Sequence, residues 1–175
     1  DRKTALETLK LIIKMGYRIV KNPPTQIKSY AGNKDYIFIS YAHKNADKVF
    51  EVIAELQKVY RIWFDEGIEP GSDWEESLGI HITKASAVIA FLSNEFLDSP
   101  ECEKEILKTK EENKPVIWIC LDDWNTVKEC AKGKLKNILE EYDKYQGIVY
   151  SNYSNVSELV KKVAETEILN PCRNM

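Results

Sequence analysis

The chain has only four cysteines, Cys102, Cys120, Cys130 and Cys172, with no Cys-x-x-Cys pair among them, and only two histidines, His43 and His81. A zinc site needs clustered Cys and His ligands at short spacing, and a disulfide framework needs paired cysteines in a small, loop-rich chain; neither is signalled. The thiols therefore read as reduced side chains of a cytoplasmic protein, and no metal is expected. Charge of one sign is also lacking. The 25 basic and 28 acidic residues leave a net charge of −3 with no run of like charges, so nothing calls for a nucleic acid or an anionic membrane surface as partner. No apolar stretch approaches the roughly 20 residues of a membrane-spanning helix, and the N-terminus lacks the order of a signal peptide. Neither an internal repeat nor a low-complexity segment is found. What is present is ordinary globular content, 43% hydrophobic and 30% charged over 175 residues, enough to bury one sizeable core.

Apolar, partly β-branched runs predict strands at Tyr36–Tyr41, Arg61–Phe64, Ala87–Leu92, Pro115–Leu121 and Gly147–Tyr150, with helical patterns between and after them. That alternation argues for an α/β fold with a parallel, doubly wound sheet. After the first strand, Ala46, Val49, Phe50, Ile53, Leu56 and Tyr60 recur in steps of three and four, while Lys44, Asp47, Lys48, Glu51 and Glu55 face outward. A second helix is expected from Ser72, where Ser72 and Glu75 form a capping box and Trp74, Leu78, Ile82 and Ala85 share a face. Five strands and five helices fill a domain assigned to residues 34–170. Residues 1–33 read as a linker helix, periodic through Leu6, Leu9, Ile13 and Val20 and stopped by Asn22-Pro23-Pro24, followed by a loop. Because the chain starts at Asp1, that helix is expected to lead from an upstream domain, and residues 171–175 are set apart as a tail.

In a parallel sheet the carboxyl ends of the strands form the usual ligand crevice, and Ser40, Asp65, Ser93 and Asp122 all fall at or just past such ends. The same residue types are also ordinary turn formers. Further on, Ser99 and Pro100 read as an N-cap and first helical residue, and Cys102, Glu105 and Ile106 then share one helix face. A glutamate placed there is either a solvated helix charge, bridging to Lys108 or Thr109, or a site.

Four segments, YIFISYAHKNAD (36–47), RIWFDEGIEPGSDW (61–74), AVIAFLSNEF (87–96) and SPECEKEI (99–106), together resemble in order and spacing a Toll/interleukin-1 receptor (TIR) domain, particularly of bacterial type. The resemblance covers about Lys34 to Leu169. It implies a flavodoxin-like five-stranded sheet and a BB loop at Asp65 through Asp73. It also implies one of two jobs.

In enzymatic members a glutamate of the third helix lies in a cleft that binds NAD+ as substrate and cleaves the bond between nicotinamide and ribose. Glu105 matches that glutamate, and a carboxylate beside the ribose suits the oxocarbenium-like state through which nicotinamide departs. No separate cofactor is implied. Trp74 falls where such enzymes carry an aromatic residue suited to stacking on a planar ring, although it could equally be the core residue of its helix. Ser40 and Asp65 would line the same cleft and His43 its rim, with strand-end and exposed-loop roles as their alternatives; His81 reads as structural. Glu101 departs from the pattern, because many NAD-cleaving members have tryptophan there. The expected setting is bacterial immune (antiphage) defence, with nicotinamide and ADP-ribose or a cyclic product released. In the other job, a TIR adaptor signals only by pairing with other TIR domains through the BB loop. A phosphate-accepting receiver domain would want acidic residues where the first and third strands end in Ser40 and Ser93.

Overall fold

The computed structural model describes residues 4, 5, 7, 8, 24, 26–66, 74–142 and 147–175, with the side chains of Trp74, Glu75 and Tyr142 outside that description. In chain order the elements are β1 (Ile37–Tyr41), a 3-10 turn (His43–Asn45), α1 (Ala46–Leu56), β2 (Ile62–Trp63), α2 (Trp74–Lys84) and β3 (Ala87–Leu92). They continue with α3 (Asn94–Leu97), α4 (Pro100–Glu111), β4 (Val116–Cys120), α5 (Trp124–Cys130), α6 (Gly133–Tyr142), β5 (Ile148–Val149) and α7 (Val156–Ala164). All five strands pair in parallel in the order β2-β1-β3-β4-β5. The order reverses beside β1, which opens a crevice at the carboxyl ends of β1 and β3.

Side chains alternate along each strand, and this parity assigns them to layers. Ile37, Ile39 and Tyr41 of β1 join Ile89, Phe91 and Ile119 beneath α1 and α7. On the other face, Phe38 and Val88 pack under α2, while Ala90, Leu92, Trp118 and Cys120 meet Phe96, Cys102, Ile106, Val127 and Leu139 from α3 to α6. Phe91 and Ile89 are fully buried, each stabilising the fold by about 1.5–3 kcal/mol relative to an exposed side chain. No helix among the described residues is long and apolar enough to cross a membrane.

The strands lie where the sequence predicts them, all but β3 with shorter ends, but the described residues of the 34–170 span contain seven α-helices rather than five. Both additions follow from local chemistry. Ser93 accepts the Phe96 N–H and starts the four-residue α3 before Ser99 starts α4. After β4, Asp123 caps α5; the chain turns extended at Ala131 and restarts at Gly133, whose φ of +58° suits a residue without a Cβ. The tail at residues 171–175 is held to the domain. Cys172 is buried, and the Arg61 guanidinium donates to the carbonyls of Pro171 and Arg173, both at 2.5 Å. Of the N-terminal segment, Thr4, Ala5, Glu7 and Thr8 are helical and exposed, and the rest of the expected linker helix lies outside the described residues. So do the Ser72 cap and the BB loop from Gly67 to Asp73.

Phe38, Trp63 and His81 form a column of stacked rings, with centroids 5.0 and 4.1 Å apart. Burial, helped by the charge of Lys84, holds the His81 pKa below its ordinary 6.5. The unfolded chain then binds a proton at His81 more readily than the folded one. Stability should be fullest above about pH 6.5, fall as pH drops through that value, and level off below the folded-state pKa. His81→Phe keeps a ring against Trp63 without titrating, so urea midpoints measured from pH 7.5 down to 5 should fall less steeply than in the wild type.

Candidate active site

The site is built from the start of α4. Ser99 lies in extended backbone and its hydroxyl accepts the Cys102 N–H at 3.2 Å, with Pro100 opening the helix. The resulting register buries Cys102, Glu105, Ile106 and Thr109. α4 packs against β1, and the Ser40 hydroxyl donates to Glu105 Oε2 at 2.5 Å. Ser40 is fully buried and Glu105 only 6% exposed. Burying a carboxylate to this depth is costly unless it is hydrogen-bonded, which the serine provides.

The bland alternative of a solvated helix charge does not fit these contacts. Lys108 Nζ pairs with Glu112 at 2.7 Å and Glu111 at 3.3 Å. Thr109 donates to the backbone carbonyl of Glu105, not its carboxylate. Glu105 instead lines a groove of about 310 Å³ between α2 and α4, with Leu78, Gly79, Ile82, Glu101, Lys104 and Lys108. Glu101 sits in the first turn of α4, where the helix dipole favours a carboxylate, and its Oε2 accepts the Ser99 hydroxyl at 3.2 Å. The departure from the family's tryptophan therefore places a second carboxylate in the groove that holds Glu105. Lys104 was missed from the sequence and Lys108 was read only as a bridging partner of Glu105, although their spacing from Glu101 and Glu105 puts all four on one helix face.

The remaining residues expected in the cleft form a separate group. Tyr41 points to the opposite face of the sheet from Ser40. His43 stacks on it at 5.1 Å between centroids, and His43 Nε2 lies 4.0 Å from Asp65 Oδ2. The Tyr41 hydroxyl also donates to the Asp65 carbonyl at 3.3 Å. Glu105, Ser40 and Glu101 thus gather on one side of the end of β1, and His43 with Asp65 on the other. The side chain of Trp74 lies outside the described residues.

Two of the four strand-end polar residues serve the fold. Ser93 donates to Asn45 Oδ1 at 2.7 Å while capping α3, and Asp122 accepts the Asn94 N–H at 3.0 Å. Burial pushes the Cys120 and Cys172 thiols each up to about 11, which keeps these two protonated at neutral pH. Among the described residues no group of His, Cys, Asp and Glu could hold a metal ion.

A family model described as the TIR domain matches residues 37–157, well over half of the chain. The chain belongs to the TIR domain family. The matched span runs from β1 into α7 and contains Ser40, His43, Asp65, Glu101 and Glu105. Among solved structures, this TIR domain is similar to the TIR domains of the activated Roq1 resistosome, which directly recognizes the pathogen effector XopQ. The TM-score is 0.56 at 15% identity, covering 75% of this chain and 98% of that one. It is also similar to the TIR domain of the Toll-related receptor TRR-2 from Hydra magnipapillata, with a TM-score of 0.56 at 14% identity and coverage of 74% and 96%. At such identities the likeness is one of fold. No curated protein sequence matches.

Proposed function

We propose that this TIR domain is an NAD+ glycohydrolase with Glu105 as its catalytic carboxylate. The observation that carries the reading is the placement of Glu105, a buried glutamate held by Ser40 at the carboxyl end of β1 and lining a groove. The bond from ribose to the nicotinamide nitrogen breaks with its electron pair going to the pyridinium, so nicotinamide leaves neutral without a general acid. The positive charge passes to the ribose, where the Glu105 carboxylate stabilises it. Water then adds to give ADP-ribose and a proton; attack from within the nucleotide would give a cyclic product instead. Bacterial immune defence is the proposed setting. The solved neighbour described as an activated resistosome supports a site that works within a TIR assembly.

The test is nicotinamide release from NAD+ over a wide range of protein concentrations, with and without a crowding agent. Release that rises more than proportionally with concentration would fit an enzyme that assembles. No release at any concentration would favour the second reading, an adaptor that signals through TIR pairing alone. One observation favours that reading, namely the Glu101 carboxylate in the groove where the family often has an aromatic surface.

Exchanging that residue separates the two. Glu101→Trp supplies a stacking face and removes a like charge one helical turn from Glu105. Nicotinamide release should rise about two- to tenfold, equivalent to the ~0.5–1.5 kcal/mol of an aromatic pair. The gain should vanish in Glu101→Trp/Glu105→Gln. An unchanged rate in a folded variant would mean that stacking at this position does not limit the reaction.

A further inference from the structure

Ser40 looked from the sequence like a residue lining the cleft, but its side chain is fully buried and its hydroxyl is committed to Glu105 Oε2. We propose that Ser40 is a positioning residue whose hydroxyl fixes the rotation of the Glu105 carboxylate and holds that group ionised. The inference rests on Glu105 being the reacting carboxylate of the proposed glycohydrolase.

Three observations support it. The first is geometric. The Ser40 hydroxyl donates to Glu105 Oε2 across the contact between α4 and β1. The terminal torsion of a glutamate is broad and roughly two-fold, so a donor fixed at Oε2 restricts which way the carboxylate plane faces. The second is the rigidity of the donor. Ser40 sits in β1, which is hydrogen-bonded to a strand on each side, and Ser40 is in register with Ala90 of β3. A side chain on an internal strand holds its place better than one on a loop. The third is the oddity of the residue itself. β1 reads Ile-Phe-Ile-Ser-Tyr and every position is buried, so a hydroxyl there carries a desolvation cost that only a partner offsets.

The chemistry gives that bond a use. Burial disfavours a carboxylate's charged form, whereas a hydrogen bond donated to the charged form favours it. Stabilising a developing ribosyl cation requires the charge to be present and already aimed before nicotinamide leaves. Ser40 keeps its proton throughout and forms no bond to the substrate.

The experiment uses Ser40→Ala, Ser40→Thr and Ser40→Cys alongside Glu105→Gln, all checked for folding by thermal melting. Ser40→Ala should lower kcat about 10- to 100-fold with KM nearly unchanged, and move the acidic limb of the pH profile upward by about one to two units. Ser40→Thr keeps the donor and should restore most of the rate. Ser40→Cys keeps the volume with a weaker donor, so it should fall between. Full activity and an unmoved acidic limb in Ser40→Ala, with Glu105→Gln inactive, would overturn the role of Ser40 alone. Turnover surviving in Glu105→Gln would instead sink the catalytic reading of Glu105.

A second measurement needs no turnover. In protein labelled with carboxyl-¹³C glutamate, the Glu105 resonance is assigned by its absence from Glu105→Gln and titrated by NMR. Its midpoint should lie about one to two units higher in Ser40→Ala than in the wild type, with Ser40→Cys between them. Coincident midpoints would overturn the inference whatever the rates show.

Discussion

Glu105→Gln is expected to lower nicotinamide release by about 10³-fold or more while the melting temperature stays within a few degrees of the wild type. Glutamine keeps the length of the side chain and its helix propensity, and its carbonyl oxygen can still accept the Ser40 hydroxyl. What disappears is the negative charge. That charge is spent on a transition state in which ribose becomes cationic, so its removal falls mainly on kcat. Stability should change little, because the variant loses a charge-assisted hydrogen bond but also the desolvation cost of a buried carboxylate. Chromatographic detection of nicotinamide, paired with thermal melts, checks both halves. Wild-type turnover in a folded variant would remove Glu105 from the site.

The second large effect is on stability. Phe96→Ala should destabilise the domain by ~3–5 kcal/mol, read from the midpoint and slope of urea unfolding. Phe96 is fully buried and meets Trp118 edge to face at 6.3 Å between centroids. It belongs to α3, a helix of four residues, too short to persist without tertiary anchors. Ser93 supplies one anchor as its cap and Phe96 the other. α3 runs directly into Ser99 and Pro100, which set the start of α4 and so the position of Glu105. Activity should therefore fall along with stability, and Phe96→Leu should lose less of both. A loss below about 1 kcal/mol for Phe96→Ala would mean that the Ser93 cap alone holds α3.

The strands were legible because buried parallel strands leave continuous apolar runs, and β3 was found to the residue. α3 was not, since four residues carry too little periodicity to register against a flanking strand. The single helix expected between β4 and β5 became two because the break depends on one glycine and one extended alanine. The Glu105 site was half visible. Its helix face and cap could be read locally, whereas the bond to Ser40 joins positions 65 residues apart and exists only once α4 has docked on β1. The division of the expected cleft residues into two groups was available from strand alternation, since Ser40 and Tyr41 are consecutive, but their shared place at a strand end suggested one surface. The contacts of the C-terminal residues, from Arg61 to the carbonyls of Pro171 and Arg173 and from Arg173 to the Tyr60 ring, join positions more than 100 residues apart and could not be read locally.

The consecutive placement of Ser40 and Tyr41 makes the site a question of odd and even. Tyr41 packs edge-on to Phe50 at 5.9 Å among the aliphatic residues of one layer, while Ser40 serves a carboxylate in the other. A one-residue slip of β1 against β3 would exchange them, pressing a phenol toward Glu105 and sending the hydroxyl into the oily layer. Ile37 and Ile39, buried in the layer beneath α1 and α7, oppose that slip because it would carry both of them out of their packing. Two isoleucines that never face the groove thus act as the key that keeps a polar pair in phase.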